Sequence, residues 1–368
     1  MKKLTIILAA LVAAAPAFAQ NDVIAAATAA AAALSETEQA QAKAAKPNYW
    51  SESIKTNINF GQTGLTNWAA GGDNTTSLSA YIDGNANYKK AVKVNDKTKD
   101  MYWNNRLQLD YGFLYASSKP ILQKNTDRIY LESKWGYQIN NKLYFSANFD
   151  FRSQFAKGFN YKTPTGVTPA NPDGTFSGQQ WKDAALPQSA LLSPAYTNIA
   201  LGIDWKPTNF FNVSFAPLTG GLVASVDPQF RKSYSMKLKC EETDQGYQAA
   251  VASGDMAQIG KYYGAARFEL GATLKIDYKL TINDNFSYST QAVFFSNYLD
   301  HPGQIRTNWD NRFDWKLAKY FALTVTTNLI YDPKVFMTND AGEWVERGVQ
   351  FKESLALGFT YTIASKKK

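Results

Sequence analysis

The sequence predicts an all-β protein, namely a transmembrane antiparallel β-barrel of about twelve strands with a short N-terminal Ala-rich helix. Polar and apolar residues alternate from Tyr49 to Ile363, as in strands with one lipid-facing and one polar side. Beyond the N-terminal segment no run of about 18 apolar residues occurs, so no transmembrane helix is predicted. Aromatic residues form 14% of a chain whose mean hydropathy is −0.35, as expected when only alternate residues meet lipid.

The clearest element is a hairpin over residues 128–152. Apolar and polar residues alternate on both sides of Asn140 and Asn141, and Asn tolerates the left-handed backbone that a two-residue turn needs. Each strand is about 12 residues long, which suits a tilted strand that crosses a bilayer. The hairpin therefore serves as the pattern for the other strands.

The N-terminus has the pattern of a secretory signal peptide over residues 1–19. Two lysines precede an apolar run, and Ala17-Phe18-Ala19 forms the predicted cleavage site. Residues 20–47 follow as an Ala-rich periplasmic extension, helical or disordered, because their residues favour helix but bury little apolar surface. We expect a loose extension, with a lumen plug or a partner-binding helix as the alternative.

The barrel is predicted over residues 48–364, with both termini in the periplasm. Short turns alternate with long connections, so we expect the long loops 156–194 and 218–262 outside the cell. Two further segments, 222–226 and 234–240, could add strands, and fourteen is therefore the alternative strand count. The predicted strands are 50–62, 74–88, 101–115, 126–139, 142–155, 195–206, 209–217, 263–282, 285–298, 304–318, 320–332 and 348–363.

The polar face of these strands carries charges of both signs in equal number. Such a balanced set favours a braced wall, and a weakly selective permeation path is the alternative. The predicted lumen-lining charges are Arg106, Asp110, Glu132, Lys134, Asp150, Arg152, Arg267, Glu269, Lys275, Asp277, Asp310, Arg312, Asp314 and Lys316.

A Gly-rich segment, NFGQTGLTNWAAGGDN, spans residues 59–74 across the first long connection. Asn67 and Trp68 precede Gly71 and Gly72, which permit positive φ, so we predict a tight turn with Trp68 packed into the barrel mouth. A binding platform around Trp68 is the alternative.

This segment, the PLTGGL sequence at 217–222 and the RFELGATLK strand at 267–275 resemble the Bacteroidota outer-membrane family known as domain of unknown function 3078. The likeness covers most of the chain after about residue 49, and the Asn-Trp-Ala-Ala-Gly-Gly core is its most specific part. The resemblance implies a β-barrel in the cell outer membrane. It supplies no activity and no binding residues.

Several function classes are excluded or disfavoured. The formal charge of +8 is spread without a basic block, so nucleic acid is not a predicted partner. Cys240 and His301 are the single cysteine and histidine, which excludes an intrachain disulfide and a histidine-based metal cluster. No Gly-x-Ser-x-Gly elbow occurs, and His301 beside Asp300 is expected to be a solvated loop histidine whose neighbour points away. No enzymatic activity, metal or cofactor is predicted.

We therefore predict an outer-membrane β-barrel, most simply a passive, porin-like channel for small solutes, because the inner face is polar. The alternative is a non-conducting accessory barrel in an outer-membrane protein assembly, because the charges of that face balance. Its expected partners are outer-membrane lipid and, in the alternative, other outer-membrane or periplasmic proteins.

Overall fold

The structure is a computed structural model that describes residues 48–63, 74–95, 97–338, 344–346 and 348–364. The predicted signal peptide and Ala-rich extension lie outside the described residues. The same holds for the predicted mouth motif of Asn67, Trp68, Gly71 and Gly72.

Sixteen strands occur in the described part of the chain, and twelve of them close into one antiparallel barrel, which confirms the predicted fold class. Around the ring the order is β1, β2, β3, β4, β5, β8, β9, β10, β11, β12, β13 and β16, and β16 pairs with β1 to close it. The strands are β1 (Trp50–Thr63), β2 (Thr75–Val94), β3 (Lys97–Ala116), β4 (Lys119–Gln138), β5 (Leu143–Ser153), β6 (Gly158–Tyr161), β7 (Ala185–Ser189), β8 (Ala195–Trp205), β9 (Phe211–Ala224), β10 (Ala266–Thr281), β11 (Phe286–Asn297), β12 (Ile305–Lys316), β13 (Phe321–Tyr331), β14 (Phe336–Thr338), β15 (Trp344–Glu346) and β16 (Gln350–Ala364).

The two ends of the barrel differ in their connections. At one end, here the turn end, short turns join the strand pairs β2–β3, β4–β5, β8–β9, β10–β11 and β12–β13. At the other, the loop end, lie the long connections 154–194, 225–265 and 332–349. The prediction that 89–100 and 116–125 are connections is wrong, because most of these residues are in strands. Strands β2 and β3 continue as a paired ribbon through 89–100, and β4 begins at Lys119 and pairs with the end of β3.

The predicted end of the strand at residue 217 is also wrong. Strand β9 continues through the PLTGGL sequence to Ala224, so residues 218–224 belong to the wall and not to the predicted loop 218–262. A register shift against both neighbours marks a β-bulge between Phe215 and Thr219. Pro217 has no N–H to donate, and a bulge is one of the few places where a strand accepts it.

The outward side chains form an apolar surface, as the lipid environment requires. Phe60, Ile199, Phe268 and Leu355 are 55%, 58%, 64% and 70% exposed. At the turn end, outward aromatic rings contact one another around the rim, as in a membrane-interface girdle. The contacts include Trp50 with Trp103, Trp135 with Phe145, Trp205 with Phe211, Phe211 with Tyr278, Phe286 with Trp315, and Phe321 with Phe359.

Three short helices lie in the long connections: α1 (Gly178–Asp183), α2 (Gln245–Ser253) and α3 (Met256–Lys261), with a 3-10 helix at Pro228–Phe230. Helix α1 packs on the tip of β4, where Lys119 lies over the buried Trp181 ring. None of the helices in the described residues has the length and apolar character needed to cross a membrane.

The segment 225–265 folds onto the barrel mouth. Its Phe230, Tyr234 and Met236 are buried against Val223 of β9, together with Ala190 and Val335 from the other two long connections. We call these six residues the mouth cluster. Val223 is 1% exposed and lies opposite Arg267, at a position of β9 whose side chain faces the lumen. The cluster therefore packs on the inner wall.

Candidate functional site

The lumen holds the predicted charges. The fourteen residues lie on β3, β4, β5, β10 and β12, and the strand registers place all of them on the inward face. Their neighbours along each strand, such as Leu107 and Leu131, are exposed on the lipid face. Inward and outward residues alternate because successive strand side chains point to opposite faces.

One ion pair crosses the middle of the lumen. The Lys275 Nζ atom lies 2.6 Å from Glu132 Oε1, and both side chains are nearly buried, at 12% and 11% exposure. Lys275 is on β10 and Glu132 on β4, and these strands stand four places apart around the ring of twelve. The pair therefore bridges the lumen rather than bracing neighbouring strands. Asp277, 3.9 Å from Lys275, accepts hydrogen bonds from Gln291 and Asn212.

A second group lies at the turn end around Asp204 of β8. This carboxylate is fully buried, lies 2.7 Å from Lys134 Nζ, and accepts hydrogen bonds from the Tyr102 and Ser146 hydroxyls at 2.6 and 2.9 Å. Tyr102 has room because it faces Gly136, where a Cβ atom would lie 2.1 Å from the tyrosine ring. Side chains from three strands thus converge on one carboxylate of a fourth strand.

Lys206, in the turn after β8, lies below this group. Its ammonium is 3.6 Å from the centre of the Tyr102 ring and 3.8 Å from Asp204. Burial lowers the pKa of Lys206 to about 8, and the Asp204 carboxylate opposes that shift. The Lys206 ammonium is therefore held over the aromatic rings of Tyr102 and Tyr144 at the turn end.

A third group joins β1, β12 and β13. Asp314 accepts from Arg312 on its own strand at 2.8 Å, from Thr324 at 2.7 Å, and from Lys55 at 3.1 Å. Lys55 is three places away around the ring. The Arg312 guanidinium also lies 5.1 Å from the Tyr81 ring of β2, farther across the lumen.

A fourth group lies below the mouth cluster. Arg306 of β12 contacts Glu269 of β10 at 2.9 Å, and Arg267 approaches the same carboxylate at 3.3 Å. The Arg306 guanidinium also lies 4.6 Å from the Phe295 ring. Glu269 is 2% exposed, so the carboxylate of this group is nearly as buried as Asp204 at the turn end.

The other predicted charges are less closely joined. Arg106 is paired at 2.7 Å with Asp83 of the adjacent strand. Asp150 accepts a hydrogen bond from Asn198, and Asp310 accepts hydrogen bonds from Asn308 and Asn328.

The remaining three predicted charges have no close ion-pair partner among the described residues. Asp110 lies near the charges of Arg128, Arg312 and Lys352. Arg152 Nε is buried without a hydrogen-bond partner in the described part of the chain, and Lys316 is exposed at the turn end.

Among the charged lumen residues that sequence reasoning missed are Lys55, Asp83, Asp204 and Arg306. Each lies on a predicted strand at a position whose side chain faces the lumen, so the alternation of polar and apolar residues was sufficient to predict it. Their partners could not be found in that way, because contacts across the lumen depend on how the strands stagger when the barrel closes.

His301 is exposed in the loop between β11 and β12, as expected, but its ring does not point away from Asp300. Its left-handed backbone, with φ of 49°, turns the ring so that Nδ1 hydrogen-bonds the neighbouring carboxylate. That carboxylate also binds Lys334 at 2.7 Å. Among the described residues no three metal-ligating side chains are grouped to hold an ion.

A closed antiparallel barrel with an apolar outer surface, an aromatic girdle and an ion-paired lumen is an outer-membrane β-barrel protein, and the cell outer membrane is its location. The resemblance predicted from the sequence is confirmed over residues 60–159, which the model of the family described as "Protein of unknown function (DUF3078)" matches; the segments 217–222 and 267–275 lie outside the matched residues. No curated protein matches the sequence.

Three solved structures are similar over most of this chain. The translocator domain of the autotransporter NalP from Neisseria meningitidis is 10% identical, with 91% of this chain and 97% of that chain covered and a TM-score of 0.32. An outer membrane channel from Pseudomonas putida F1 is 12% identical, with coverages of 87% and 97% and a TM-score of 0.33. A FadL homologue from Pseudomonas aeruginosa is 12% identical, with coverages of 86% and 80% and a TM-score of 0.28.

Proposed function

We propose that the protein is a non-conducting outer-membrane barrel that acts as an accessory component of an outer-membrane protein assembly. The observation that carries this proposal is the set of buried ion pairs that bridge the lumen. Glu132 with Lys275, Asp204 with Lys134, and Asp314 with Lys55 each join strands that are not neighbours. A solute would have to break such pairs to pass.

The mouth cluster supports the same proposal. Three long connections bury apolar side chains on the inner wall at the loop end, and Arg231 binds the backbone carbonyls of Ser225, Val226 and Tyr263. These bonds tie the two ends of the segment 225–265 together. An occupied mouth above a bridged lumen suits a protein that works through its surfaces.

The surface that we assign to a partner is the basic ribbon at the turn end, formed by residues 89–94 and 97–100. Strand β1 begins opposite Tyr88, and β4 first pairs with β3 at Met101, so the ribbon extends past both neighbours. The turn end faces the periplasm in this proposal, so the ribbon fits an acidic surface of a periplasmic partner. The ribbon contains Lys89, Lys90, Lys93, Lys97 and Lys99.

Planar-bilayer conductance of the refolded full chain tests whether the lumen is closed. We expect no steady conductance, and we expect steady openings in the double variant E132Q/K275Q, in which the central ion pair is absent. Heat-modifiable migration must show that both proteins are folded. Steady conductance of the wild-type chain would contradict the proposal and favour the passive channel.

The passive channel is the second candidate, and one observation favours it. The inward side chains of Asn57, Asn59 and Asn148 have buried polar atoms without a hydrogen-bond partner in the described residues. Such groups normally bind water. Water between the ion-pair groups would provide the start of a permeation path.

Native gel electrophoresis of mildly solubilised outer membranes tests the assembly. We expect the wild-type protein to migrate in a complex larger than the isolated barrel, and the variant K93E/K97E to migrate as the barrel alone. Lys182→Glu on helix α1, at the loop end, is the matched control and should leave the complex intact. Migration of the wild-type protein as a bare barrel would refute the assembly role.

A further inference from the structure

The barrel wall has a notch between β10 and β11 at the loop end. Strand β10 pairs with β9 from Ala266 onward, but it pairs with β11 only from Gly271, opposite Asn297. The Tyr298 N–H donates to the Leu270 carbonyl at 2.7 Å and marks the lower edge of the gap. Above that point β10 has a strand neighbour on one side only.

A cleft of about 770 Å³ lies at this notch. The strand end contributes Arg267 and Phe268, the connection between β11 and β12 contributes Leu299, and the two other connections contribute Lys237, Lys334 and Phe336. This volume is in the range of cavities that hold small organic groups. The cleft therefore has room for a lipid headgroup.

The walls of the cleft differ in chemistry because alternate residues of β10 face opposite sides. Phe268 is 64% exposed on the lipid side, and Leu299 is 62% exposed beside it. Arg267 faces inward, where its guanidinium joins the upper charge group. The notch thus connects the lipid-facing surface of the barrel with a charged interior.

The side chains that line the cleft carry a net positive charge: three are cations and two are carboxylates. Glu269 is held by Arg306 through both carboxylate oxygens, at 3.2 and 2.9 Å, and Asp300 is held by Lys334. In the described part of the chain, the Lys237 ammonium has no acidic partner, and Arg267 Nε is buried without a hydrogen-bond partner. The Lys237 ammonium is therefore left for an anion, and the Arg267 guanidinium, 3.3 Å from Glu269, adds positive charge to the same cleft.

We propose that the notch binds an anionic membrane lipid. The phosphate group lies against Lys237, with the Arg267 charge behind it in the cleft, and the acyl chains follow Phe268 and Leu299 down the outer surface of the barrel. A cationic group beside exposed apolar side chains at the membrane surface fits an anionic amphiphile better than a free anion. The continuity of the cleft with the lipid face supplies the route by which the lipid enters.

Native mass spectrometry of the full chain in mild detergent tests this site. The probes are phosphatidylglycerol and phosphatidylcholine with identical acyl chains, and glycerol 3-phosphate as the free headgroup. We expect the wild-type protein to bind phosphatidylglycerol more tightly than phosphatidylcholine. Lys237→Gln should weaken phosphatidylglycerol binding about fivefold, the effect of one lysine near a lipid surface. Phe268→Ala should weaken the binding of both lipids.

Lys239→Gln is the matched control, because Lys239 is exposed on the same segment and does not line the cleft. It should leave both affinities unchanged. Equal affinity of the wild-type protein for the two lipids, or equal losses in K237Q and K239Q, would overturn the proposal. Binding of glycerol 3-phosphate as tight as that of phosphatidylglycerol would assign the site to free phosphate esters and would also overturn it.

Discussion

Replacing Glu132 with glutamine is expected to lower the free energy of unfolding by about 3 kcal/mol, the low end of the range for breaking a buried ion pair, because the Lys275 ammonium loses its hydrogen-bonded carboxylate and keeps only the more distant Asp277. Lys275 is 12% exposed and lies 2.6 Å from Glu132. Asp277, at 3.9 Å from Lys275, remains as a second carboxylate and compensates the ammonium only in part, because that distance is longer than a hydrogen bond. Removing one partner of a buried pair costs more than removing both, since an uncompensated charge remains.

Urea unfolding of the protein in lipid vesicles, followed by tryptophan fluorescence, measures the effect. The double variant E132Q/K275Q should regain most of the lost stability, because neither side chain then carries a charge. Glu241→Gln in the exposed connection between β9 and β10 is the control and should change stability by less than about 0.5 kcal/mol. If E132Q alone unfolded like the wild-type protein, the Lys275–Glu132 bridge would not hold the two walls together.

The position of both residues could be predicted from the sequence, but their contact could not. Glu132 and Lys275 lie on the polar face of strands whose alternation is unbroken, and a period of two fixes the side to which each points. That they meet depends on how twelve strands close and stagger, which brings side chains of β4 and β10 together although these strands are four places apart. No local pattern contains this information.

The mouth cluster illustrates the same limit for loops. Phe230, Met236 and Val335 come from segments separated by about a hundred residues, and neither segment has a periodic pattern. Of the six residues of the mouth cluster, three come from the segment 225–265 and one, Ala190, comes from the connection 154–194. Aromatic residues were present in both segments, so composition could not decide which would pack on the inner wall.

Strand β9 shows where a local rule misleads. Pro217 and the glycines after it are typical of the end of a strand, and the predicted strand 209–217 ends at this proline. The structure instead accommodates Pro217 in a bulge, and Gly202 on the neighbouring strand β8 makes the bulge fit. A Cβ atom at Gly202 would lie 2.1 Å from the Phe215 carbonyl oxygen and 2.5 Å from the Ala216 Cα atom.

Gly202→Ala should therefore destabilise the barrel by about 1–3 kcal/mol, because the atoms in its way are backbone atoms of β9 that cannot rotate aside. Gly84→Ala is the matched control, since a Cβ atom there meets its nearest neighbour at 3.9 Å and should be tolerated. The measurement is again urea unfolding in lipid vesicles, with both variants compared at the same lipid composition. A Gly202→Ala barrel as stable as the Gly84→Ala barrel would mean that the bulge at Pro217 can move away from β8. In that case Gly202 would not be required for β9 to continue past its proline.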